Sequence, residues 1–334
     1  MITTSTYSRF LIIQTAFIGD VILATGLIEQ LHARFPDARI DFLLRNGNEG
    51  LLANNPYLSD VLIWQKKGGA LTKYRTLFRL LTTIRQRRYD VVINLQRFGA
   101  TGLLTALSGA RETAGFDKNP FARYYTQAVP HRIEPNWHEI QRNAQVIQFL
   151  ANTPVRKPKL YPSEADYLAV KPYQPNPYVC LAPTSVWFTK QYPEEKWVDF
   201  LRQLPAGQTA YLLGGPPDVA ACERIRARAE RANVVNLAGK LSFLESAALM
   251  QGAVRNYVND SAPLHMATAM NAPTTAIFCS TVPEFGFGPL ADDARIVQYE
   301  EPLDCKPCSL HGRNACPLGH FQCAYGIRTE QLLT

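Results

Sequence analysis

The 334-residue chain is 46% apolar and 19% charged, the balance of an ordinary globular protein, and its length exceeds what one hydrophobic core usually serves, so two domains are expected. No apolar run approaches a membrane span, and the opening MITTSTYSRF lacks the layout of a signal peptide, which predicts a cytoplasmic protein. Seven cysteines without an export signal argue against a disulfide scaffold. The net charge of +7 is concentrated: residues 1–151 hold 18 Lys and Arg against 11 Asp and Glu, whereas 152–334 hold 17 against 17. A basic first half predicts an anionic partner (phosphorylated lipid, an anionic membrane surface or nucleic acid) without choosing among them.

Residues 10–13 form a short apolar run, residues 16–19 a small-residue turn, and from Asp20 the apolar positions Val21, Ala24, Ile28 and Leu31 take helical spacing. In open α/β sheets ligands bind beyond the carboxyl ends of the strands, which puts Asp20 at a cleft. A carboxylate beside a helix N-terminus stays ionised and suits a general base; the alternative is a plain helix cap. Strands are predicted at 39–44 and 61–64, with NPYLSD as the loop before the second. Lys66 to Arg88 carry eight basic residues, with Leu77, Phe78, Leu81 and Ile84 on one face. This is a basic amphipathic helix, either lying on anionic lipid or crossing over with a solvated back. A strand at 91–95 delivers Gln96 and Arg97 to the edge that holds Asp20. The loop GARETAGFDKNPFARYY adds Lys118 and Arg123, so Arg97, Lys118 and Arg123 form a candidate anion-binding rim. A helix at 138–151, with Ile140, Ala144, Ile147 and Ala151 inward, closes the first domain.

Six prolines between Asn152 and Tyr178 suit neither a helix interior nor a central strand, so 152–177 reads as a linker. Strands at 178–182, 209–213, 234–237, 255–258 and 274–278 then alternate with helices at 194–204, 218–231, 243–250 and 264–270, which predicts a second doubly wound parallel sheet over 178–334. Two stretches end a strand and open a helix with small polar residues. LAPTSVWFTKQYP offers Thr184, Ser185 and Lys190; VNDSAPLHMATAM offers Asp260, Ser261, Ala262 and His265. Free amides at a helix N-terminus and a lysine suit phosphate, and each residue singly also fits a capping or core role. There is no GxGxxG after the first strand, no P-loop and no GxSxG, which disfavours nicotinamide enzymes, P-loop hydrolases and α/β-hydrolases. A carboxylate on one wall and phosphate-binding elements on the other suit group transfer from a nucleotide donor.

The IGDVILATG segment, PTS followed by Lys190 and Tyr-Pro, NDSAPLHMATAMNAP and the closing CKPCSLHGRNACPLGHFQC together resemble glycosyltransferase family 9, the ADP-heptose:lipopolysaccharide heptosyltransferases, over nearly the whole chain. The resemblance implies a GT-B fold, two Rossmann-like doubly wound domains facing across a cleft, and inverting, metal-independent sugar transfer at the inner face of the inner membrane. By position it implies Asp20 as general base and Thr184, Ser185 and Lys190 on the diphosphate, with Lys190 stabilising its departure. Asp260, Ser261, Ala262 and His265 fall in the donor motif, and Arg97 and Arg123 are expected at an acidic glycolipid acceptor. Asp218, after GGPP, is placed near the nucleoside. The chain departs from the family at Ala262, where glycine is usual, with Pro263 next, and its Ser185-to-Lys190 spacing is one residue longer. The implied partners are a nucleotide-sugar donor, a phosphorylated glycolipid and an anionic membrane surface, not nucleic acid. Cys305, Cys308, Cys316 and Cys323, with His311 and His320 among them, suit either a structural zinc knot or reduced thiols. No cofactor is expected for catalysis. The rival reading is a non-catalytic nucleotide-sugar-binding protein of the same fold.

Overall fold

The computed structural model describes residues 7–66, 69–134, 136–150 and 153–333. The chain divides into two compact units, Met1–Tyr161 and Pro162–Thr334. No helix among the described residues is long and apolar enough to cross a membrane.

The first unit runs β1 (Arg9–Ile13), α1 (Ile18–Arg34), β2 (Arg39–Arg45), β3 (Leu58–Trp64), α2 (Ala70–Arg87), β4 (Val91–Asn94), α3 (Gly99–Ala106), β5 (Glu112–Phe116), β6 (Gln127–Val129) and α4 (Glu139–Gln145). Its strands pair in the order β3-β2-β1-β4-β5-β6, all parallel. Phe10 to Ile13 are wholly buried, as a strand covered on both faces requires. Strand order reverses between β1 and β4, and the loops after these two strands form the switch point where such sheets bind ligands.

Several expectations change here. β3 begins at Leu58, inside the segment read as a loop. Phe78 is 72% exposed and points away from the sheet, because α2 seats itself through Leu77, Leu80, Leu81 and Ile84, the i, i+3, i+4, i+7 stripe. β5, only ETAGF and with a glycine in a strand interior, replaces part of the loop that the apolar pattern predicts. A Cβ on Gly115 would stand 2.7 Å from the Tyr125 ring and 2.8 Å from the Asn94 carbonyl oxygen, so close packing selects the glycine. The helix expected to Ala151 ends at Gln145, and Val146 to Gln148 continue as tighter i to i+3 turns; Ala151 lies outside the described residues.

The stretch expected as a linker is divided between the units. Residues 153–161 return over α1: the Gln30 amide donates to Thr153 Oγ1 at 2.7 Å, the Lys159 N–H to Thr25 Oγ1 at 2.9 Å, and the Tyr161 hydroxyl to Glu29 at 2.7 Å. A Cβ on Gly26 would meet the Arg156 carbonyl at 2.7 Å. This strap explains why α1 is buried almost all round rather than on one stripe. The prolines stay extended there, where no helix or ladder donor is needed.

The second unit opens with α5 (Glu164–Val170), capped by Ser163, whose hydroxyl accepts from the Asp166 N–H at 3.2 Å. It continues β7 (Tyr178–Ala182), α6 (Glu194–Gln203), β8 (Thr209–Leu212), α7 (Val219–Ala229), β9 (Val234–Asn236), α8 (Phe243–Gly252), β10 (Arg255–Asn259), α9 (Ala262–Ala269), β11 (Thr274–Phe278) and β12 (Ala294–Gln298), with short α10 (Gln322–Tyr325) and α11 (Glu330–Leu333) at the end. The parallel order β12-β11-β10-β7-β8-β9 reverses between β10 and β7. Trp197, Phe200 and Leu201 of α6 are fully buried against β7 and β8. Both sheets are therefore doubly wound, as the alternation of elements predicts.

Candidate active site

In the first unit the β1 and β4 loops are stitched together. Thr15 Oγ1 donates to Gln96 Oε1 at 2.5 Å, and Gln96 Nε2 donates to the Ala16 carbonyl at 2.9 Å. Lys66 Nζ reaches Thr15 Oγ1 at 2.8 Å and lies 4.4 Å over the Trp64 ring. Burial, then the Arg45 charge, lowers the Lys66 pKa. Asp20, partly buried in the first turn of α1, accepts the Phe17 N–H on Oδ2 at 2.7 Å. That bond fixes the carboxylate at the N-terminal end of the helix, where its charge is favoured. The capping reading of Asp20 is thus realised in part, by a reach back from the third helical position and not from the cap position itself.

Arg97 follows β4 on the same sheet edge. Arg97, Lys118 and Arg142 all act on His131, whose pKa burial and these cations push down to about 4. Arg123 is engaged with its neighbour: its guanidinium donates to the Tyr124 hydroxyl at 2.6 Å and lies 4.7 Å from that ring. The cationic group around His131 therefore gathers Arg97, Lys118 and Arg142, the last unforeseen because it faces inward from α4 at 2% exposure.

In the second unit Thr184 and Ser185 follow β7, and Asp260 and Ser261 follow β10, on adjacent strands with Ala182 opposite Val258. All four therefore stand at the switch-point edge. Lys190 Nζ pairs with Asp260 Oδ2 at 2.7 Å, with side chains 15% and 6% exposed. The Thr281 hydroxyl donates to the same oxygen at 2.6 Å, and Asn259 Oδ1 accepts the Tyr192 N–H at 3.0 Å. Asp260 thus holds the lysine in place. Opposite charges this close hold the ammonium at the mouth of β10.

The cysteine-rich end braces the same loop. The Arg313 N–H donates to Thr189 Oγ1 at 2.8 Å, and the Thr189 N–H to the Arg313 carbonyl at 3.0 Å. Gly312, at φ +81°, lies where a Cβ would stand 3.0 Å from Lys190 Cγ. Thr189, Ser280 and Thr281, buried polar residues that sequence patterning does not separate from core threonines, complete this support.

Ser261 stands at the N-cap of α9 without a side-chain cap bond. Pro263 brings no N–H, and the Leu264 N–H is occupied by the Ser261 carbonyl at 3.0 Å, so the amides able to meet an anion are those of Ser261 and Ala262. His265, in the first turn of α9, is 5% exposed, its ring 6.1 Å from that of Phe287. Asp218 caps its own turn by accepting the Gly215 N–H at 2.8 Å. Cys308 and Cys323 are raised by burial and then by neighbouring thiols, Cys323 to about 12. Cys305 Sγ lies 4.0 Å from His320 Nε2, and among the described residues no three His, Cys, Asp or Glu side chains gather into a group that could hold a metal ion.

The model of Glycosyltransferase family 9 (heptosyltransferase) matches residues 77–315. Lipopolysaccharide heptosyltransferase 3 of Escherichia coli (strain K12) is 30% identical over 284 residues, 79% of this chain and 80% of that protein. Lipopolysaccharide heptosyltransferase 1 of Pseudomonas aeruginosa is 26% identical over 97% of this chain and 93% of that protein. The solved E. coli ADP-heptose lipopolysaccharide heptosyltransferase II superposes with a TM-score of 0.80 at 20% identity, covering 97% of this chain and 96% of that one. The two doubly wound units are those of a GT-B fold, and the chain belongs to glycosyltransferase family 9, a family of heptosyltransferases.

Proposed function

We propose that this glycosyltransferase moves a heptose from a nucleoside-diphosphate donor, ADP-heptose, to an acidic inner-core acceptor of lipopolysaccharide, with inversion at the anomeric carbon and without a metal. The observation that carries the substrate class is the likeness to the E. coli lipopolysaccharide heptosyltransferase over 284 residues. In this reading Asp20 takes the proton of the acceptor hydroxyl as its oxygen attacks the anomeric carbon. The bond to the diphosphate breaks with the electrons leaving on the phosphate oxygen. Lys190, held by Asp260, the Ser261 and Ala262 amides and the hydroxyls of Thr184 and Ser185 receive that charge, the electrostatic role a divalent cation fills elsewhere. Arg97, Lys118 and Arg123 meet acceptor phosphate, while Arg142, buried and bonded to Glu139, holds the interior behind them.

The domain assignment carried into this reading is an acceptor unit ending at Tyr161 and a donor unit from Pro162. The outward face of α2, with Tyr74 and Phe78 71% and 72% exposed among basic residues, supports peripheral attachment to the anionic cytoplasmic face of the inner membrane. The test is transfer from ADP-heptose to purified core-truncated lipopolysaccharide in chelator, read by mass spectrometry. A product one heptose heavier supports the proposal. Turnover only with another sugar nucleotide, or only after metal is restored, contradicts it.

A further inference from the structure

Three aromatic side chains of the first unit stand open beyond the carboxyl ends of its strands: Phe17, 62% exposed, Phe98, 61%, and Tyr124, 55%. They follow β1, β4 and β5, which are neighbours in the sheet. Ile13 of β1 lies opposite Asn94 of β4, and Phe17 and Phe98 each come four residues later, at the N-caps of α1 and α3. Phenylalanine carries no acceptor for a helix amide, so serine, threonine, aspartate or asparagine would serve either helix better. A single exposed phenylalanine is ordinary. Two at matching positions on adjacent loops, one of them bonded through its backbone to the carboxylate read as the base, belong to the site.

Hydrogen bonds hold both loops in place. The Phe17 N–H donates to Asp20 Oδ2 at 2.7 Å, and Gln96 Nε2 donates to the Ala16 carbonyl at 2.9 Å. Asn119 Nδ2 donates to the Gln96 carbonyl at 2.9 Å and to the Phe98 carbonyl at 3.1 Å. The Phe121 ring lies 3.8 Å from where a Cβ on Gly99 would stand and 6.3 Å from the Tyr124 ring, which continues the aromatic edge. The Arg45 guanidinium is 5.7 Å from the centre of the Phe17 ring, and that of Arg123 is 4.7 Å from the centre of the Tyr124 ring. Open rings beside guanidinium groups match a phosphorylated saccharide. A pyranose lays its apolar C–H face on an aromatic ring, and its phosphate pairs with arginine. Acyl chains would suit the rings as well, but they bring no hydroxyl to Asp20.

Resting on the reading of Asp20 as the base and of an acidic glycan as acceptor, we propose that Phe17 and Phe98 are acceptor-binding residues. They stack on the apolar face of the sugar whose hydroxyl Asp20 deprotonates, and so help to set which acceptor is admitted. Stacking of this kind holds the acceptor alike before and during transfer, so its loss raises the acceptor KM and leaves kcat unchanged.

Phe17→Ala and Phe98→Ala each remove an exposed ring and keep the backbone donor to Asp20. The probe is deacylated core-truncated lipopolysaccharide with its phosphates retained, titrated by calorimetry with ADP present. Each alanine variant is expected to weaken its binding about tenfold, about 1.4 kcal/mol, with ADP affinity unchanged. Phe17→Tyr and Phe98→Tyr, which keep a ring, restore it, and the acceptor KM in transfer follows the same order. Natural saccharide affinity in the alanine variants, or equal losses in the alanine and tyrosine variants, overturns the proposal while the acceptor reading stands. Alanine variants that lose only sedimentation with anionic vesicles free of saccharide assign the rings to a membrane and overturn it too. A natural chain that binds none of the saccharide removes the acceptor reading, and the proposal with it.

Discussion

The Lys190–Asp260 pair makes the account of the donor side quantitative. Asp260→Ala leaves an ammonium 15% exposed without its carboxylate and takes away the acceptor of the Thr281 hydroxyl. Removing one partner of a buried pair costs about 3–5 kcal/mol, and the residual exposure of the lysine brings this toward about 2–3 kcal/mol. Lys190→Ala leaves Asp260, 6% exposed, with the Thr281 bond only, for about 3 kcal/mol. The double variant strands no charge, so its cost stays near that of one single variant, a coupling of about 2–3 kcal/mol. Urea unfolding reads this as midpoint shifts of about 1 M with unchanged slope. Calorimetry with ADP adds the functional half: Lys190→Ala weakens binding about tenfold or more, about 1.4 kcal/mol. Single effects that add within about 0.5 kcal/mol, or unchanged ADP affinity in Lys190→Ala, refute the reasoning.

Other outcomes follow from the same geometry. Because His131 is depressed to about 4 from an ordinary 6.5, the folded state binds fewer protons between those values, and stability falls as pH drops through that window. His131→Gln flattens this part of the stability profile; an unaltered slope contradicts the burial and cation argument. Glu139 acts with the opposite sign: raised from 4.5 to about 6, it makes the fold lose about 2 kcal/mol as pH rises through that interval. Glu139→Gln removes that loss in a pH series of thermal unfolding. Gly115→Ala places a methyl against Tyr125 and Asn94 and costs about 1–3 kcal/mol by unfolding midpoint. Tyr74→Ser with Phe78→Ser lowers sedimentation with anionic vesicles at least several-fold and leaves zwitterionic vesicles unaffected; equal sedimentation removes α2 from the membrane face.

The doubly wound plan was legible because strands buried on both faces are near-continuous apolar runs, as in residues 10–13 and 178–182, separated by helices of clear period. The positions of Asp20, Thr184, Ser185, Asp260 and Ser261 beyond the strand ends were legible for a related reason: each sits where a strand run stops and helical spacing begins. Short strands with few apolar residues escaped, as β5 did with Gly115 packed under Tyr125. So did α5, announced by a capping serine within a proline-rich stretch. Phe78 shows the limit of a helical wheel: consecutive residues stand about 100° apart on it, so Leu77 and Phe78 can both border one broad apolar arc, and only the seat chosen by Leu80 and Ile84 decides which is buried. The grouping of Arg142 and His131 with Arg97 and Lys118 was invisible because nothing in the local sequence brings α4 to the loop after β4. The Lys190–Asp260 pairing likewise joins two connecting segments seventy positions apart, and the cysteine-rich end braces it through Thr189.

The central claim, that Asp20 deprotonates the acceptor, is tested most directly by Asp20→Asn, which keeps an oxygen for the Phe17 N–H and hence the start of α1. Transfer from ADP-heptose to core-truncated lipopolysaccharide, followed at saturating donor, is predicted to fall by about 10²–10⁴-fold with ADP affinity unchanged. Turnover within a few-fold of the natural chain contradicts it.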